Sequence, residues 1–174
     1  EQVSLLVGKS LFRELGPVLT ALLFAGRAGT SITAEIGLMK ATNQIKAMEL
    51  MAIDPVKRVA LPRFAAGVIS VPLLTAVFNA MAILGSVIFS IGVVDLDAGI
   101  FWSKLQTGVF FTRDLMQGVW KSFVFGGTIS LIAVYFGYSS RPTGAGVGTA
   151  TTNTVVLSSV LILVFDFIMT SFLT

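Results

Sequence analysis

The sequence predicts an all-α integral membrane protein, a polytopic bundle with about four transmembrane helices. Of its 174 residues, 55% are hydrophobic and only 12% are charged, about half the charged fraction of a typical soluble domain. Long runs without charge recur, each near the length needed to cross a bilayer. The net charge of +3 is not gathered into a basic block with aromatic residues, which argues against nucleic-acid binding. With no cysteine and no histidine, disulfides, Cys/His metal sites and imidazole catalysis are excluded.

A membrane-spanning helix needs roughly 20 apolar residues, and four segments meet this length. They are residues 15–39, 64–94, 121–138 and 154–173, with the third expected to begin as much as two turns earlier. The second segment is longer than a bilayer requires. We expect it either to tilt or bend, with the bend at Pro72, or to form one long helix that extends beyond the membrane.

The distribution of lysine and arginine in the short loops predicts the orientation of the spans. Residues 40–63 are rich in basic residues and are placed in the cytoplasm. Residues 95–113 carry fewer and are placed outside, and residues 139–153 are placed inside on Arg141 alone. Residues 1–174 then form a single transmembrane permease domain with its C-terminus outside. Its first residues are also expected outside, which predicts at least one earlier span.

Two glycine-containing motifs resemble phosphate sites without meeting their requirements. Residues 7–10 end like a P-loop, but Val3 stands where that motif requires glycine. Residues 143–148 alternate glycine with other residues, but they follow a membrane span rather than a strand. We interpret them as a flexible cytoplasmic turn before the last helix, with Thr151 or Thr152 as its N-cap.

Asp166 lies about halfway along the last expected span. A lone acid in lipid costs roughly 2.5 to 3.5 kcal/mol, and we find no second carboxylate with which it could form an aspartyl-protease pair. We therefore expect Asp166 to face the bundle interior and to pair with Ser158, Ser159 or a basic residue of another helix. Its role is then either in packing or in a transport path.

The first span carries a ridge of small residues, one every four positions, which predicts close packing within a bundle or dimer; a merely flexible helix is the alternative. Two charged residues, Arg27 and Glu35, interrupt this span. We place both toward its cytoplasmic end as structural charges that reach the interface, with a substrate role as the alternative. The ridge consists of Ala21, Ala25, Gly29, Thr33 and Gly37.

A short amphipathic helix is predicted after Lys40. Its apolar positions recur with helical spacing, and two charged residues can pair at i, i+3. Asp54 and Pro55 then signal the start of another short helix, bounded by Pro62. The amphipathic helix could lie on the lipid surface or in the groove of a soluble partner. Its apolar positions are Ile45, Met48, Leu50, Met51 and Ala52, and its charged pair is Lys46 and Glu49.

Two segments carry a resemblance to a known family. The run RELGPVLTALLFAGRAGTSITAEIGLMKATNQIKAMELMAIDPVKRVALPR, residues 13–63, resembles the MlaE permeases, also called YrbE or MCE-associated permeases. The run ATTNTVVLSSVLILVFDFIMT, residues 150–170, is similar to the C-terminal helix of that family. The resemblance covers essentially the whole chain and implies five membrane helices. An N-terminal interfacial helix and the first membrane helix are then expected before this segment.

The resemblance implies a function as well as a fold. It implies the non-catalytic permease subunit of an ABC transporter that moves phospholipids between the inner and outer bacterial membranes and maintains outer-membrane lipid asymmetry. The permease would be a multi-pass homodimer in the inner membrane, without a cofactor of its own. Its expected partners are cytoplasmic ATPases that bind ATP and Mg²⁺, a STAS-domain protein and a periplasmic hexamer of MCE subunits.

The same resemblance assigns roles to individual residues. Residues 40–53 would carry the coupling helix, and residues 99–111 would rest on the outer membrane surface or support the MCE ring. Lys121 could instead be an interfacial anchor beside Trp120. The expected lipid-cavity residues are Arg13, Glu14 and Lys121, and the expected ATPase contacts are Ile45, Met48, Glu49 and Met51.

Two other classes of function are weighed beside this one. A self-contained secondary transporter or channel could use Arg27, Glu35 and Asp166 as an ion path. An intramembrane enzyme is a poor candidate, because the sequence offers neither His, Cys nor paired acids.

Overall fold

The computed structural model describes residues 9–92, 97–108 and 111–173, and every regular element within these ranges is helical. Four of the helices are long and apolar enough to cross a membrane. They confirm the predicted fold class, a multi-pass helical membrane protein. The helices are α1 (Leu11–Ala41), α2 (Gln44–Leu50), α3 (Val56–Gly92), α4 (Ala98–Gly108), α5 (Phe111–Ser139) and α6 (Gly144–Leu173).

The second span, α3, is one continuous helix with Pro72 inside it. The expected tilt or bend, and the alternative of a helix that extends beyond the membrane, stay predictions. Asp54 begins α3 as expected, because its Oδ1 accepts the Val56 N–H at 3.0 Å. The expected short helix bounded by Pro62 is wrong. A π-helical turn at Val56–Ala60 precedes Pro62, and such adjustments let a membrane helix continue through a proline that would clash with the carbonyl four residues before it.

The last two spans begin earlier than expected. The third, α5, starts at Phe111, nearly three turns before residue 121. In α6 the first residue is Gly144, and the Gly146 N–H donates to Thr143 Oγ1 at 3.1 Å. Thr143 is therefore the N-cap, and the expected caps Thr151 and Thr152 are wrong. The glycine-rich run belongs to the helix, and the turn between α5 and α6 is only residues 140–143.

The small-residue ridge of α1 faces α5 and α6 of the same chain. Ala21 and Ala25 are fully buried in a core cluster with Phe125, Ile129 and Ile162. The ridge is thus central to the bundle, as predicted, and the merely flexible helix is wrong.

Farther along the ridge, Thr33 Oγ1 lies 3.0 Å from the Ala133 carbonyl oxygen and 2.8 Å from Thr154 Oγ1. A Cβ added at Gly29 would lie 3.2 Å from Ile129 Cγ2, and one at Gly37 would lie 3.0 Å from Val147 Cγ2. Close helix approach depends on these small residues because membrane helices associate largely by packing.

The remaining predictions concern segments near the ends of the described ranges. Of the P-loop-like residues 7–10, the first two lie outside them, as does part of the expected outer loop 95–113. That loop contains α4, in which Phe101 is buried and Trp102 is exposed.

Candidate functional site

Charged side chains meet at the end of the bundle where α1 begins, hereafter the Arg13 end. Arg13 Nε lies 3.4 Å from Asp114 Oδ1 and donates to Gln117 Oε1 at 2.9 Å. Asp114 is almost fully buried, and its Oδ2 has no hydrogen-bond partner within the described ranges. The arrangement joins α1 to α5 through a desolvated ion pair.

A second ion pair joins α5 to α6. Lys121 Nζ lies 2.9 Å from Asp166 Oδ1 and donates to Thr170 Oγ1 at 2.8 Å. The basic partner expected for Asp166 is therefore Lys121, on another helix. With α6 beginning at Gly144, however, Asp166 falls in its last third rather than at the midpoint.

Lys121 itself is only 3% exposed, whereas the neighbouring Trp120 side chain is exposed. The alternative of an interfacial anchor for Lys121 is wrong, because an anchor must reach the headgroup region. The side chain instead points into the bundle, where the Asp166 carboxylate offsets the cost of taking the ammonium out of water.

Both ion pairs lie on one stripe of α5. Asp114, Gln117 and Lys121 are spaced i, i+3, i+7, which places them on one helix face within about 10 Å along the axis. Glu14 is exposed and forms no ion pair with any described residue, so the structure brings Arg13 and Lys121 to this stripe but not Glu14. We name Asp114, Gln117 and Lys121, with Arg13 and Asp166, the charged stripe.

The opposite end of the bundle, hereafter the Lys40 end, carries the amphipathic helix α2. Ile45 is 8% exposed and packs in a core cluster with Ile36 and Val59. Met48 packs against that cluster. These two side chains face the chain's own core, so they do not fit the expected role of ATPase contacts.

The apolar side chains that this segment exposes are not those of Ile45 and Met48. Leu50 is 82% exposed and Met51 64% exposed, and Ile53 is also exposed. Glu49 is exposed beside them, and the expected Lys46–Glu49 ion pair is not formed. Of the four expected contact residues, Glu49 and Met51 are therefore accessible, and Leu50 and Ile53 join them.

The α2 helix ends in a left-handed turn. Ala52 has φ 58°, and the Ile53 N–H donates to the Met48 carbonyl at 2.9 Å while the Ala52 N–H donates to the Glu49 carbonyl at 3.0 Å. This is the Schellman pattern, which usually places glycine where Ala52 stands. The turn redirects the chain so that Leu50, Met51 and Ile53 point away from the core.

Polar contacts fasten the Lys40 end to the rest of the bundle. The Tyr138 hydroxyl donates to the Pro55 carbonyl at 3.0 Å, and Lys40 Nζ donates to the Tyr138 carbonyl at 2.6 Å. Arg63 and Glu35 form an ion pair of 2.6 Å. Tyr138 in the last turn of α5 thus contacts both α1 and the start of α3, and the Arg63–Glu35 pair joins α3 to α1.

Arg27 lies near the middle of α1, about 20 Å along the helix from both Arg13 and Lys40. It is exposed and forms no ion pair with a described residue. The expectation of an interfacial charge fits Glu35, which pairs with Arg63, but not Arg27. No ion pair joins Arg27, Glu35 and Asp166, the residues of the expected ion path, to one another; Glu35 pairs with Arg63 and Asp166 with Lys121.

Four residues that sequence reasoning did not select contribute to these contacts. Asp114 and Gln117 share a helical face with Lys121. Their spacing predicts this shared face only when the helix is known to begin at Phe111. The pairing of Arg63 with Glu35 and of Tyr138 with Pro55 depends on tertiary packing, for which the sequence has no local signal.

The sequence of this chain is similar to those of known permeases. The family model described as permease MlaE matches residues 1–172. The chain is 49% identical over 166 residues to the intermembrane phospholipid transport system permease protein MlaE of Haemophilus influenzae, covering 95% of the chain and 64% of that protein.

More distant relatives match over a similar range. A probable ABC transporter permease protein of Rickettsia typhi is 38% identical, with 98% of the chain and 66% of that protein covered. The chloroplastic protein TRIGALACTOSYLDIACYLGLYCEROL 1 of Arabidopsis thaliana is 32% identical, with 92% and 45% covered. The chain thus spans less than two thirds of the length of these curated relatives.

Proposed function

The chain belongs to the MlaE permease family, and from this premise we propose that it is the non-catalytic membrane subunit of an ABC transporter for phospholipids. The transporter moves phospholipids between the inner and outer membranes of a bacterium and so maintains outer-membrane lipid asymmetry. The observation that carries the proposal is the family match over residues 1–172, together with 49% identity to a phospholipid transport permease.

We place the protein in the inner membrane with its Lys40 end in the cytoplasm. The concentration of Lys and Arg in residues 40–63 supports this orientation. Lys46, Lys57 and Arg58 are exposed there, as expected for charges that remain in water. The Arg13 end then faces the periplasm.

The exposed surface formed by Glu49, Leu50, Met51 and Ile53 is proposed as the contact for a cytoplasmic ATPase, which binds ATP and Mg²⁺. An apolar surface of this kind is costly in water and is stabilised by a partner's groove. The contacts of Tyr138 with Pro55 and Lys40 support a coupling role, because movement of this surface would pull on α5. A STAS-domain protein would complete the cytoplasmic part of the complex.

The charged stripe is proposed to bind phospholipid headgroups in a cavity at the interface of a homodimer. Arg13 and Lys121 supply cations that a phosphate can share with Asp114 and Asp166, and Glu14 would lie at the rim. Arg13 is the accessible member of the stripe, because its side chain is 26% exposed whereas Asp114 is buried beneath it. Residues 99–111 would face the periplasmic hexamer of MCE subunits.

The test is phospholipid movement by the complete complex in a bilayer. Permease, ATPase, STAS and MCE subunits are reconstituted between donor and acceptor vesicles with fluorescent phospholipid. Movement should require ATP and Mg²⁺ and should fall in Lys121→Met/Asp166→Leu, which removes both charges of the pair and so leaves no buried charge uncompensated. Lys46→Met, at an exposed lysine with no ion pair among the described residues, serves as the control. ATP-independent movement, or none with an active ATPase bound, contradicts the proposal.

A further inference from the structure

A groove of about 700 Å³ lies between α1 and α3, away from the charged stripe. Its walls are almost wholly apolar and include Leu23, Leu74, Val77 and Met81. Among the described residues that line it, Arg27 alone carries a charge. The groove therefore combines an apolar wall with a single cation.

The position of Arg27 makes that cation costly. It lies near the middle of a membrane-spanning helix, where an arginine facing lipid costs roughly 2.5 to 3.5 kcal/mol even on insertion scales. Two acids in the described part of the bundle are already paired, the buried Asp114 with Arg13 and the partly buried Asp166 with Lys121. The anion that stabilises Arg27 must therefore come from outside these residues.

A second copy of the described chain cannot supply this anion. Two copies with the same orientation across a membrane hold equivalent residues at equivalent depths. Glu14 is about 20 Å along α1 from Arg27, and Glu35 is about 12 Å away and already paired with Arg63. A guanidinium cannot reach across about 20 Å, and the nearer acids are already paired. Asp166 lies about 9 Å in depth from Arg27, counted from the Thr33–Thr154 contact, and pairs with Lys121.

Two further observations mark the groove as a binding site. Thr20 lines it, is 5% exposed, and its Oγ1 has no hydrogen-bond partner among the described residues. The backbone around Arg27 forms a π-helical turn at Ala25–Gly29, a distortion that occurs frequently at functional sites. The hydroxyls of Thr30 and Ser31 donate to the Arg27 carbonyl at 3.0 and 2.9 Å and so hold the turn.

We propose that this groove binds one phospholipid, with its phosphate on Arg27 and an acyl chain along Leu74, Val77 and Met81. The positive charge of Arg27 favours the phosphate, and the apolar wall favours the acyl chain. A lipid in either leaflet keeps its phosphate about 15 Å from the bilayer centre, so binding draws the lipid toward the centre. The inference goes beyond the proposed function, because it holds whether or not the bound lipid is transported.

The test uses the full-length protein in lipid nanodiscs with a photo-crosslinking residue at Leu74. A second probe at Ile88, an exposed position of α3 outside the groove lining, reports ordinary contact with bilayer lipid. The nanodiscs contain either radiolabelled phosphatidylglycerol or radiolabelled diacylglycerol, which has the chains but no phosphate. The Leu74 probe should label phosphatidylglycerol well above diacylglycerol, whereas the Ile88 probe should not discriminate between them.

The arginine is tested in the same assay. Arg27→Gln should reduce phosphatidylglycerol labelling at Leu74 about tenfold, the loss expected for one charge-assisted contact, and Arg27→Lys should retain most of it. Arg141→Gln, which removes an exposed arginine outside the groove, is the matched control and should change nothing. Elution of each variant as a monodisperse protein excludes misfolding as the cause.

Three outcomes overturn the proposal: equal labelling of the two lipids at Leu74, labelling unaffected by Arg27→Gln, and crosslinking to a protein segment instead of lipid. ATP-dependent lipid movement is measured separately on the same preparations. Normal movement without a site at Leu74 defeats this inference alone. An Arg27-dependent site in a protein that moves no lipid defeats only the proposed function.

Discussion

The two ends of the bundle use charge and apolar surface in opposite ways. At the Arg13 end, Asp114 and Lys121 are buried inside the bundle and paired across helices. At the Lys40 end, Leu50 and Met51 are exposed, and Lys46 and Glu49 form no ion pair within the described part of the chain. Within the membrane, apolar side chains can face the lipid, and charged side chains are stabilised in the interior of the bundle. At the helix ends, water solvates charged side chains, and apolar side chains are better buried.

The two ends should differ in the substitutions that they tolerate. A charge in the stripe is bound to its partner, so removing one member leaves the other buried without compensation. An apolar side chain on the exposed Lys40 end contributes little to the fold and is available to a partner. Mutations at the two ends should therefore separate stability from assembly.

The largest effect is expected from Lys121→Met. The variant leaves the Asp166 carboxyl without its cation, and breaking a buried ion pair costs about 3–5 kcal/mol of stability. Denaturant unfolding in detergent micelles measures the loss, with Lys46→Met as the control within about 0.5 kcal/mol of the parent. The double variant Lys121→Met/Asp166→Leu should recover most of the stability; a double variant as unstable as the single one would show that the pair is not the cause.

A smaller loss is expected between the two ends, from Gly29→Leu. The added side chain meets Ile129 and Thr154 in the packed core, and overpacking costs about 1–3 kcal/mol. Gly26→Leu is the matched control, because a Cβ at Gly26 has nothing within 4 Å. The melting temperatures of both variants are measured in the same detergent. Equal values would contradict the observed packing of α1.

At the Lys40 end, Met51→Asp should weaken binding of the ATPase by about 1–2 kcal/mol, the range of an interface anchor, without destabilising the permease. Met48→Asp should instead destabilise the permease itself, because Met48 packs against the buried Ile45 cluster. Retention of the ATPase on immobilised permease and the permease melting temperature are read on both variants. Wild-type retention with Met51→Asp would remove this surface from the coupling role.

The smallest effect is expected from Ala52→Gly, and its sign is opposite. A left-handed alanine costs roughly 1 kcal/mol that glycine does not, so the variant should stabilise the α2 turn by about that amount. Hydrogen exchange at the Ile53 amide measures this local opening. Faster exchange in the variant would show that the left-handed turn is not formed.

Part of this architecture could be predicted from the sequence. The fold class and the central ridge depend on composition and on a spacing of four residues, both of which are local signals. The start of α5 could not be placed, because Arg113, Asp114 and Gln117 resemble a water-exposed loop when averaged over a window. Only the partners on α1 show why such polar residues continue a membrane helix.

The prediction of a turn at the glycine-rich start of α6 is wrong for a related reason. Glycine lowers helix propensity in water, so Gly144, Gly146 and Gly148 predicted a turn. Glycine is more frequent in membrane helices than in soluble ones. A Cβ at Gly146 would lie 2.7 Å from the Arg141 carbonyl oxygen of the preceding turn, whereas a Cβ at Gly144 or Gly148 would have no described atom within 4 Å. The sequence also does not predict which side of α2 faces the core. A stripe of apolar residues packs equally well against the same chain or against a partner.

The short turn at residues 140–143 has a consequence for the biogenesis of the protein. It makes α5 and α6 a helical hairpin, and Lys121 and Asp166 face each other across its two arms. During membrane insertion each charge alone would oppose entry of its helix, by less than the roughly 2.5 to 3.5 kcal/mol that a charge costs at the helix centre. A hairpin that leaves the translocon as a unit presents the two charges already neutralised, so α5 depends on the synthesis of α6 to settle in the bilayer.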